Sequence, residues 1–302
     1  MRNLYLFSIL LLFTFSCGKI KESTTTKDQL KAEIQEIFNA EKGDFALAFL
    51  PLFNPQDSIL INVTEEFHAA STMKTPVMFE VFKQVEAGKL ALTDSILIKN
   101  NFYSIVDSSE YVIKDDSENE LYQMIGDSLP LYDVMYKMII KSSNLGTNLI
   151  IEKVGAKNVT QTMRDLGAPY IQVLRGVEDL KAFEKGMSNT TTAYDMMVLY
   201  EKIANAEVLS RESNDKMIEV LLDQYYNEMI PAKLPADVKV AHKTGSITGV
   251  RHDAGIVMLP DGKKYVLVLL SKNLENPDAS IEKMAEVSGK IYQYVIDSYK
   301  NS

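Results

Sequence analysis

Hydrophobic residues recur along the chain with helical spacing in some stretches and strand-like spacing in others. From residue 28 onward, Leu30, Ile34, Ile37 and Phe38 fall on one face of a predicted helix. The same spacing predicts helices over residues 73–90, 132–140, 145–154, 159–166, 191–204 and 279–299. Short β-rich runs predict strands over residues 45–50, 59–63, 238–244, 255–259 and 265–270. Residues 175–189 have no clear period and are expected to be irregular.

The order of these elements indicates a fold. Two strands come early in the chain, three come late, and the segment between them is mostly helical. We therefore predict an α/β (α+β) architecture with one antiparallel sheet built from both chain ends, terminal helices that cover it, and an inserted, mostly helical lobe. A single domain over residues 27–302 would have a sheet lobe, 27–70 and 217–302, and a helical lobe, 71–216.

Composition limits the classes of partner. The chain has 302 residues, of which 46% are hydrophobic and 24% charged, so it can bury a sizeable core and is not expected to be disordered. The formal net charge of −9 argues against nucleic acid, because phosphate binding requires a basic surface. We expect a monomer that binds a small molecule in the cleft between the two lobes.

The first 17 residues have the pattern of a secretion signal. Arg2 is followed by an almost unbroken apolar run over residues 4–15, which is shorter than the roughly 20 residues of a transmembrane helix. The run ends near Cys17, the one cysteine of the chain, so an intramolecular disulfide is excluded. A small residue before a lone cysteine resembles a lipoprotein processing site, although Thr14 stands where lipoproteins usually have Leu.

This pattern predicts where the mature protein resides. Residues 1–17 would be the signal with its lipoprotein-type end, Cys17 would carry the lipid, and residues 18–26 would be a tether. The protein would then be secreted across the inner membrane as a periplasmic or cell-envelope lipoprotein, and it would contact the membrane through its lipid anchor alone. The alternatives are an ordinary cleaved signal and a small buried cysteine.

A serine followed three residues later by a lysine occurs at Ser16–Lys19, Ser71–Lys74, Ser213–Lys216 and Ser280–Lys283. On a helix this spacing brings both side chains to one face, where the lysine amine can be the base that a serine nucleophile requires. The first pair spans the end of the signal, and the last two stand among polar residues at predicted helix starts, where Ser is an ordinary cap. Small and apolar neighbours surround Ser71, which is therefore the candidate nucleophile.

Two further motifs accompany Ser71. Ser142-Ser143-Asn144 lies between two predicted helices, and Lys243-Thr244-Gly245-Ser246 closes a predicted strand. Taken alone, the first motif could be a helix cap and Thr244 a plain strand residue. In the order S-x-x-K, S-x-N, K-T-G, the motifs resemble those of the class A serine β-lactamases and their penicillin-binding relatives. The resemblance covers nearly the whole chain after the tether, although Ser143 stands where class A enzymes usually carry Asp.

The resemblance implies a catalytic role for four residues of these motifs and a substrate-binding role for a fifth. Ser71 would attack a carbonyl carbon and form an acyl-enzyme, with Lys74 as its base or base partner. Ser142, assisted by Lys243, would pass a proton to the leaving nitrogen. Asn144 would bind the side-chain amide of the substrate.

The resemblance also implies how the substrate is held. Thr244, Ser246 and Arg251 would bind the substrate carboxylate, on a strand that includes Gly245 and lines the site. The backbone N–H groups of Ser71 and Ser246 would form the oxyanion hole. Arg251 could instead be a surface charge.

Hydrolysis of the acyl-enzyme is implied to require a glutamate in a loop before a Thr-rich helix start. Residues 175–189, which precede three threonines, are in that place, and Glu178 is the best candidate by position. The match is imperfect, because the usual pattern has Glu two residues after Arg and then Pro, whereas Glu178 lies three after Arg175. Asp179 and Glu184 are rival candidates, and Glu178 could also be a solvated loop acid.

Other chemistries fit the sequence less well. His68, His242 and His252 occur without the G-x-S-x-G elbow of many serine triads, and each is interpreted as structural. His252-Asp253 lies near the predicted site, where it could tune the local charge. One cysteine and three scattered histidines give no zinc spacing, and no P-loop or dinucleotide fingerprint is present, so no metal and no cofactor are predicted.

The sequence is compatible with three functions. The first is a β-lactamase that hydrolyses the β-lactam amide through acyl-Ser71, with Glu178 positioning the water. The second is a penicillin-binding D-alanyl-D-alanine carboxypeptidase, or a related amidase or esterase, acting on peptidoglycan peptides. The third is a sensor of β-lactams or peptidoglycan that becomes acylated and does not turn over. Glu178 discriminates between the first function and the other two.

Overall fold

The computed structural model describes residues 25–299 of the chain. Helices α1 to α9 are, in chain order, Lys27–Asn39, Lys74–Glu86, Leu131–Ile140, Asn144–Val154, Ala156–Asp165, Leu180–Glu184, Ala193–Asn205, Arg211–Leu222 and Pro277–Tyr299. Strands β1 to β11 are Asp44–Pro51, Ile59–Ile61, Phe67–His68, Ser95–Leu97, Phe102–Tyr103, Glu110–Tyr111, Ser128–Pro130, Thr190–Thr191, Lys239–Ile247, Val250–Met258 and Lys264–Lys272. The predicted signal with Cys17, and the tether up to residue 24, lie outside the described residues. Within residues 25–299, no helix has the length and apolar character needed to cross a membrane.

One sheet contains the strands β2, β1, β11, β10 and β9 in that order, and all its neighbouring strands are antiparallel. β1 near the beginning of the chain pairs with β11 near its end, from Asp44 opposite Lys272 to Pro51 opposite Tyr265. The predicted sheet built from both chain ends is therefore confirmed. β9 forms one edge of the sheet.

Both faces of the sheet are buried, because alternate residues of a strand point to opposite sides and both sides are covered. Phe45, Leu47 and Phe49 pack in one cluster with the apolar faces of α1 and α9. Ala46 and Ala48 point the other way, into the core of the helical lobe. These small side chains leave room for α7, which packs against β1.

Helix α2 runs through the core of the helical lobe. Every residue from Lys74 to Phe82 is buried, as expected for a helix that is covered on all sides. The sequence predicts this helix over residues 73–90, whereas the observed helix ends at Glu86, before Gly88 with its φ of +67°. A 3₁₀ turn, Ala70–Met73, leads into its first residue.

Strands β9 and β10 are longer than predicted, and the additional residues belong to the site. The prediction ends one strand at residue 244 and begins the next at 255, whereas β9 reaches Ile247 and β10 begins at Val250. Cross-strand pairing continues through this polar region, with Gly245 opposite His252 and Ser246 opposite Arg251. Side-chain polarity alone therefore gives the wrong ends for these strands.

One helix is absent from the predicted elements, and another is predicted by its start alone. α6 lies inside the stretch predicted to be irregular, and Asp179 caps it by accepting the Ala182 N–H at 3.1 Å. α8 begins after Ser210, whose hydroxyl accepts the Ser213 N–H at 3.2 Å. Ser213, interpreted from the sequence as a helix cap, therefore lies inside the first turn, and Ser210 is the cap.

Candidate active site

The candidate nucleophile Ser71 lies in the 3₁₀ turn immediately before α2. The Lys74 N–H donates to the Ser71 carbonyl oxygen, so the two residues are one tight turn apart, a spacing that aligns their side chains. Ala70 has a φ of +44°, in the left-handed region that is unusual for alanine. Its N–H donates to Nδ1 of His68 at 3.0 Å, which stabilises the turn and with it the position of Ser71.

His252 anchors the segment that leads to Ser71. Its Nδ1 lies 3.1 Å from the Ser271 nitrogen and 2.9 Å from the Arg251 carbonyl oxygen, and its Nε2 lies 2.9 Å from the His68 carbonyl oxygen. Burial lowers the pKa of His252 to about 4, so the ring is neutral near pH 7. Both histidines therefore support the turn that carries Ser71.

Lys74 is completely buried, and oxygen atoms surround its amine. Nζ donates to the Ser142 carbonyl at 2.6 Å, to Oδ1 of Asn144 at 3.0 Å and to the Ser142 hydroxyl at 3.2 Å. Burial lowers the pKa of Lys74 to about 7, and the negative charge of Asp116 opposes this effect. An amine with a pKa near neutrality is partly unprotonated at pH 7, as a base for a serine hydroxyl must be.

The hydroxyl of Ser142 lies between two buried amines. Nζ of Lys243 is 3.2 Å from Ser142 Oγ, the same distance as Nζ of Lys74. Burial lowers the pKa of Lys243 well below its usual value, and the charge of Lys74 lowers it further, whereas Asp253 opposes the shift. A hydroxyl has two acceptor sites and one proton. Because the two amines take the acceptor sites, the Ser142 proton is left for another partner.

Asn144 is the first residue of α4, and both ends of its side chain are held. Nδ2 donates to the Asp115 carbonyl oxygen at 3.1 Å, and Oδ1 accepts from Lys74. Its backbone N–H donates to the carboxylate of Asp116, at 2.8 Å from Oδ1. The amide is therefore fixed in one orientation beside the Lys74 amine.

Strand β9 passes directly beside Ser71. A Cβ atom on Gly245 would lie 3.1 Å from the backbone nitrogens of both Ser71 and Thr72, which is closer than ordinary contact. A glycine at this position therefore lets the strand approach the nucleophile. Thr244 before it is buried, and Ser246 after it is exposed at the rim of the site.

Arg251 lies opposite Ser246 on β10. Its Nη1 donates to the carbonyl oxygens of Ile247 at 2.9 Å and Val250 at 2.8 Å, which fixes the turn between the two strands. The guanidinium also lines the same cavity as Ser71, so its remaining donors can reach an anionic group there.

A cavity of about 1060 Å³ collects most of the predicted site residues. On its walls lie Ser71, Ser142, Asn144, Glu178, Thr244, Gly245, Ser246 and Arg251. Lys74 and Lys243 do not line it, because both are completely buried and meet at Ser142 behind the wall. The structure thus brings the predicted catalytic and substrate-binding residues of the three motifs to one place.

Glu178 has a φ of +60°, and its side chain is held by Lys114 and Asp115, which also line the cavity. Its carboxylate accepts the N–H groups of Lys114 at 2.8 Å and Asp115 at 3.2 Å. Within residues 25–299, no hydrogen bond joins this carboxylate to Ser71 or Lys74. Glu178 therefore lies in the cavity but is bonded to its rim.

The two rival acids lie outside the cavity. Asp179 is buried and accepts from the Ser104 hydroxyl at 2.8 Å and the Ile105 N–H at 2.9 Å, in addition to capping α6. Glu184 is exposed at the end of the same helix. Of the three candidate acids, Glu178 is thus the one with access to a substrate.

A buried pair lies next to Lys243. Nδ1 of His242 is 2.8 Å from Oδ1 of Asp253, and Nε2 is 3.1 Å from Oδ1 of Asn227. The pair fixes in place the Asp253 carboxylate, whose charge raises the pKa of Lys243. The suggested tuning role of His252-Asp253 therefore falls to Asp253, since His252 is neutral.

Asp116 is a charged residue of the site that the motifs do not indicate. The adjacent acids Asp115 and Asp116 are visible in the sequence, but 28 residues separate Asp116 from its partner Asn144. No local pattern connects the two segments. The one feature that could have indicated such a partner is the first turn of α4, which contains no acidic residue of its own.

The sequence of the chain is similar to those of known proteins. The model of a family described as the beta-lactamase enzyme family matches residues 29–295. The extended-spectrum beta-lactamase PER-1 of Pseudomonas aeruginosa is 24% identical over 299 aligned residues, which cover 95% of this chain and 93% of that protein.

Two solved structures are similar over most of their length. A mutant of PBP-A, in its acyl-enzyme complex with penicillin G, is 28% identical to this chain with a TM-score of 0.77. The match covers 89% of this chain and 97% of the PBP-A chain. A beta-lactamase from Chitinophaga pinensis is 25% identical with a TM-score of 0.75 and covers 87% of this chain and 98% of its own.

Proposed function

Because the chain belongs to the beta-lactamase enzyme family, we propose that it hydrolyses the β-lactam amide through an acyl-enzyme on Ser71. The family makes it a serine hydrolase of the class A type, with a small-molecule β-lactam as substrate. One observation carries the assignment of residues: the Ser142 hydroxyl is held between the amines of Lys74 and Lys243, at the wall of the cavity that also contains Ser71.

Acylation would use these side chains as a proton path. The free amine of Lys74 takes the proton from the Ser71 hydroxyl as Oγ bonds to the β-lactam carbonyl carbon. When the carbon–nitrogen bond breaks, the proton of Ser142 passes to the nitrogen, and the ammonium of Lys74 returns a proton to Ser142. The path is supported by the 3.2 Å distance between Lys74 Nζ and Ser142 Oγ.

The negative charges of substrate and intermediate would be held by groups of β9, of β10 and of the turn that carries Ser71. The N–H groups of Ser71 and Ser246 would stabilise the oxyanion, an interaction worth about 3 kcal/mol for each donor. The substrate carboxylate would bind Thr244, Ser246 and Arg251. The close approach of Gly245 to the Ser71 nitrogen supports this arrangement, because it brings the strand backbone next to the nucleophile.

Deacylation would require a water molecule and a base. We assign the base to Glu178, because it lines the cavity whereas Asp179 and Glu184 do not. Its carboxylate would have to exchange at least one of its bonds to Lys114 and Asp115 for the water. The rate of deacylation would then depend on how readily this exchange occurs.

A penicillin-binding peptidase is the second candidate, and the position of Glu178 favours it. A carboxylate that stays on the N–H groups of Lys114 and Asp115 would not activate water for the penicilloyl-enzyme, so that penicillin would inhibit rather than be consumed. The similarity to PBP-A is consistent with that outcome. In this case the substrate would be a peptidoglycan peptide ending in D-alanyl-D-alanine.

Steady-state assays separate the two candidates. Purified protein is incubated in turn with a chromogenic cephalosporin and with an acylated D-alanyl-D-alanine peptide. Repeated turnover of the cephalosporin that disappears in Ser71→Ala supports the β-lactamase. Release of D-alanine from the peptide, together with the reaction of only one cephalosporin molecule per protein molecule, would support the peptidase instead.

The location in the cell is a proposal that rests on the N-terminal residues. We propose that Cys17 carries a lipid that holds a monomeric protein to the periplasmic or cell-envelope side of a membrane. The apolar run over residues 4–15 and the single cysteine support it. In Cys17→Ser the protein should move from the membrane fraction to the soluble fraction, and an unchanged distribution would exclude the anchor.

A further inference from the structure

The carboxylate of Asp116 is the centre of a group of hydrogen bonds at the beginning of α4. It accepts the Asn144 N–H, at 2.8 Å from Oδ1 and 2.9 Å from Oδ2, and the Leu145 N–H at 2.9 Å. The hydroxyl of Tyr122 donates to Oδ2 at 3.0 Å, and that of Ser143 is 3.4 Å away. Asp116 comes from a loop, and its side chain is partly buried.

These bonds complete the cap of a helix that lacks an acidic residue in its own first turn. The Ser143 hydroxyl accepts the Gly146 N–H, whereas the first two N–H groups, of Asn144 and Leu145, are left for Asp116. A carboxylate is favoured at this position because helix N-termini carry partial positive charge and free N–H groups. The beginning of α4 is therefore fixed by a residue from another segment.

The same residue acts on Lys74 in two ways. By holding the backbone of Asn144, it positions Oδ1 of that side chain, which accepts from the Lys74 amine at 3.0 Å. Its charge also raises the pKa of Lys74, against the larger effect of burial. The amine of Lys243 lies on the far side of Ser142, and the charge of Lys74 lowers the pKa of Lys243.

We propose that Asp116 is a positioning residue for acylation, which holds Asn144 and the first turn of α4 against the Lys74 amine. The proposal rests on the proposed function of Ser71 and Lys74. Asp116 lines the cavity, but the bonds described here occupy its carboxylate, so its effect on the reaction passes through Asn144 and Lys74.

The test compares Asp116→Asn with a matched variant at another helix. Asp133, in the first turn of α3, is exposed, so Asp133→Asn removes the same charge from a helix start away from the cavity. The acylation rate with a chromogenic cephalosporin is measured by stopped flow across a range of pH, and thermal unfolding shows whether each variant is folded.

In Asp116→Asn we expect acylation to slow by about tenfold to hundredfold, the effect of a small misplacement of reacting groups. The acidic limb of its pH profile should also move to lower pH, because Lys74 loses the charge that raises its pKa. Asp133→Asn should match the wild type. In Asp116→Glu, which keeps the charge, the acidic limb of the pH profile should stay at the wild-type pH even if the acylation rate falls.

Two results would overturn the proposal. One is a wild-type rate and pH profile in Asp116→Asn; the other is a slower rate with an unmoved acidic limb, which would indicate a merely structural cap. If Asp116→Asn does not fold, Asp116→Ser removes the same charge with a smaller side chain and decides by the same criteria. Failure of the proposed function is distinguishable, because the wild-type protein would then not be acylated on Ser71 at all.

Discussion

The amine of Lys243 lies 3.2 Å from the hydroxyl oxygen of Ser142. Lys74 approaches the same oxygen at the same distance, so one hydroxyl joins two buried amines. Because both amines are shielded from bulk water, the proposed mechanism would return the proton of Ser71 to the leaving nitrogen without releasing it to the solvent. The pKa of each lysine is lowered by burial, which makes that transfer possible near neutral pH.

The first prediction concerns Ser142. Ser142→Ala removes the proton donor for the leaving nitrogen but leaves Ser71 and its base in place. We expect acylation to slow by roughly a hundredfold to ten-thousandfold, as is typical for loss of a general acid. Stopped-flow acylation by a chromogenic cephalosporin measures this, and an unchanged rate in a folded variant would remove Ser142 from the proton path.

The second prediction is a pH dependence. Lys74 must be unprotonated to accept the Ser71 proton, and burial lowers its pKa to about 7. The acylation rate should therefore fall as pH drops below about 7 and level off above it. Lys74→Arg, which keeps a charge but does not deprotonate near neutrality, should lose acylation at every pH. A flat profile through neutrality in the wild type would show that Lys74 is not the base.

The third prediction concerns the contact between β9 and the nucleophile. In Gly245→Ala the new Cβ would lie 3.1 Å from the Ser71 nitrogen, so the strand or the turn must shift. A shift of this kind should reduce acylation by about a hundredfold. The comparison is Gly289→Ala in α9, where the new Cβ meets Lys233 at an ordinary 3.4 Å.

Gly289→Ala should leave activity unchanged and stabilise its helix by roughly 0.5–1 kcal/mol. Both variants are compared by thermal unfolding and by acylation kinetics. Full activity in Gly245→Ala would mean that the close approach of the strand does not matter for the reaction.

The fourth prediction separates the two half-reactions. Glu178→Gln removes the proposed deacylation base but not the groups that act on Ser71, so an acyl-enzyme should form at the wild-type rate and then accumulate. The control is Glu184→Gln, since Glu184 is exposed and lies outside the cavity. Equal turnover in Glu178→Gln and wild type would assign the base to another group.

Much of this fold can be predicted from the chain because its signals are local. Apolar spacing locates α1 and α9, and alternation in β1 separates Phe45, Leu47 and Phe49 from the alanines between them. The short motifs identify Ser71, because the relative positions of two side chains one turn apart are set by the few residues between them. The ends of β9 and β10 escape prediction, since pairing there overrides the polarity of the side chains.

Contacts between distant segments could not be predicted from the sequence. Asp116 reaches Asn144 across 28 residues, and Glu178 bonds Lys114 across 64. Neither distance follows from spacing or composition, because it depends on how two loops pack after the helices have assembled. The direction of the Lys74 amine, toward Ser142 and Asn144, is likewise set by tertiary packing.

The most direct test of the central claim follows the intact mass of the protein with time, after the chain lacking residues 1–17 is mixed with excess benzylpenicillin. A covalent adduct of one penicillin on Ser71 that forms and then decays, while the excess is converted to penicilloate, is the predicted result. A stable adduct with little penicillin consumed would contradict turnover and favour a penicillin-binding peptidase or sensor. Consumption that persists in Ser71→Ala would contradict the acyl-serine mechanism itself.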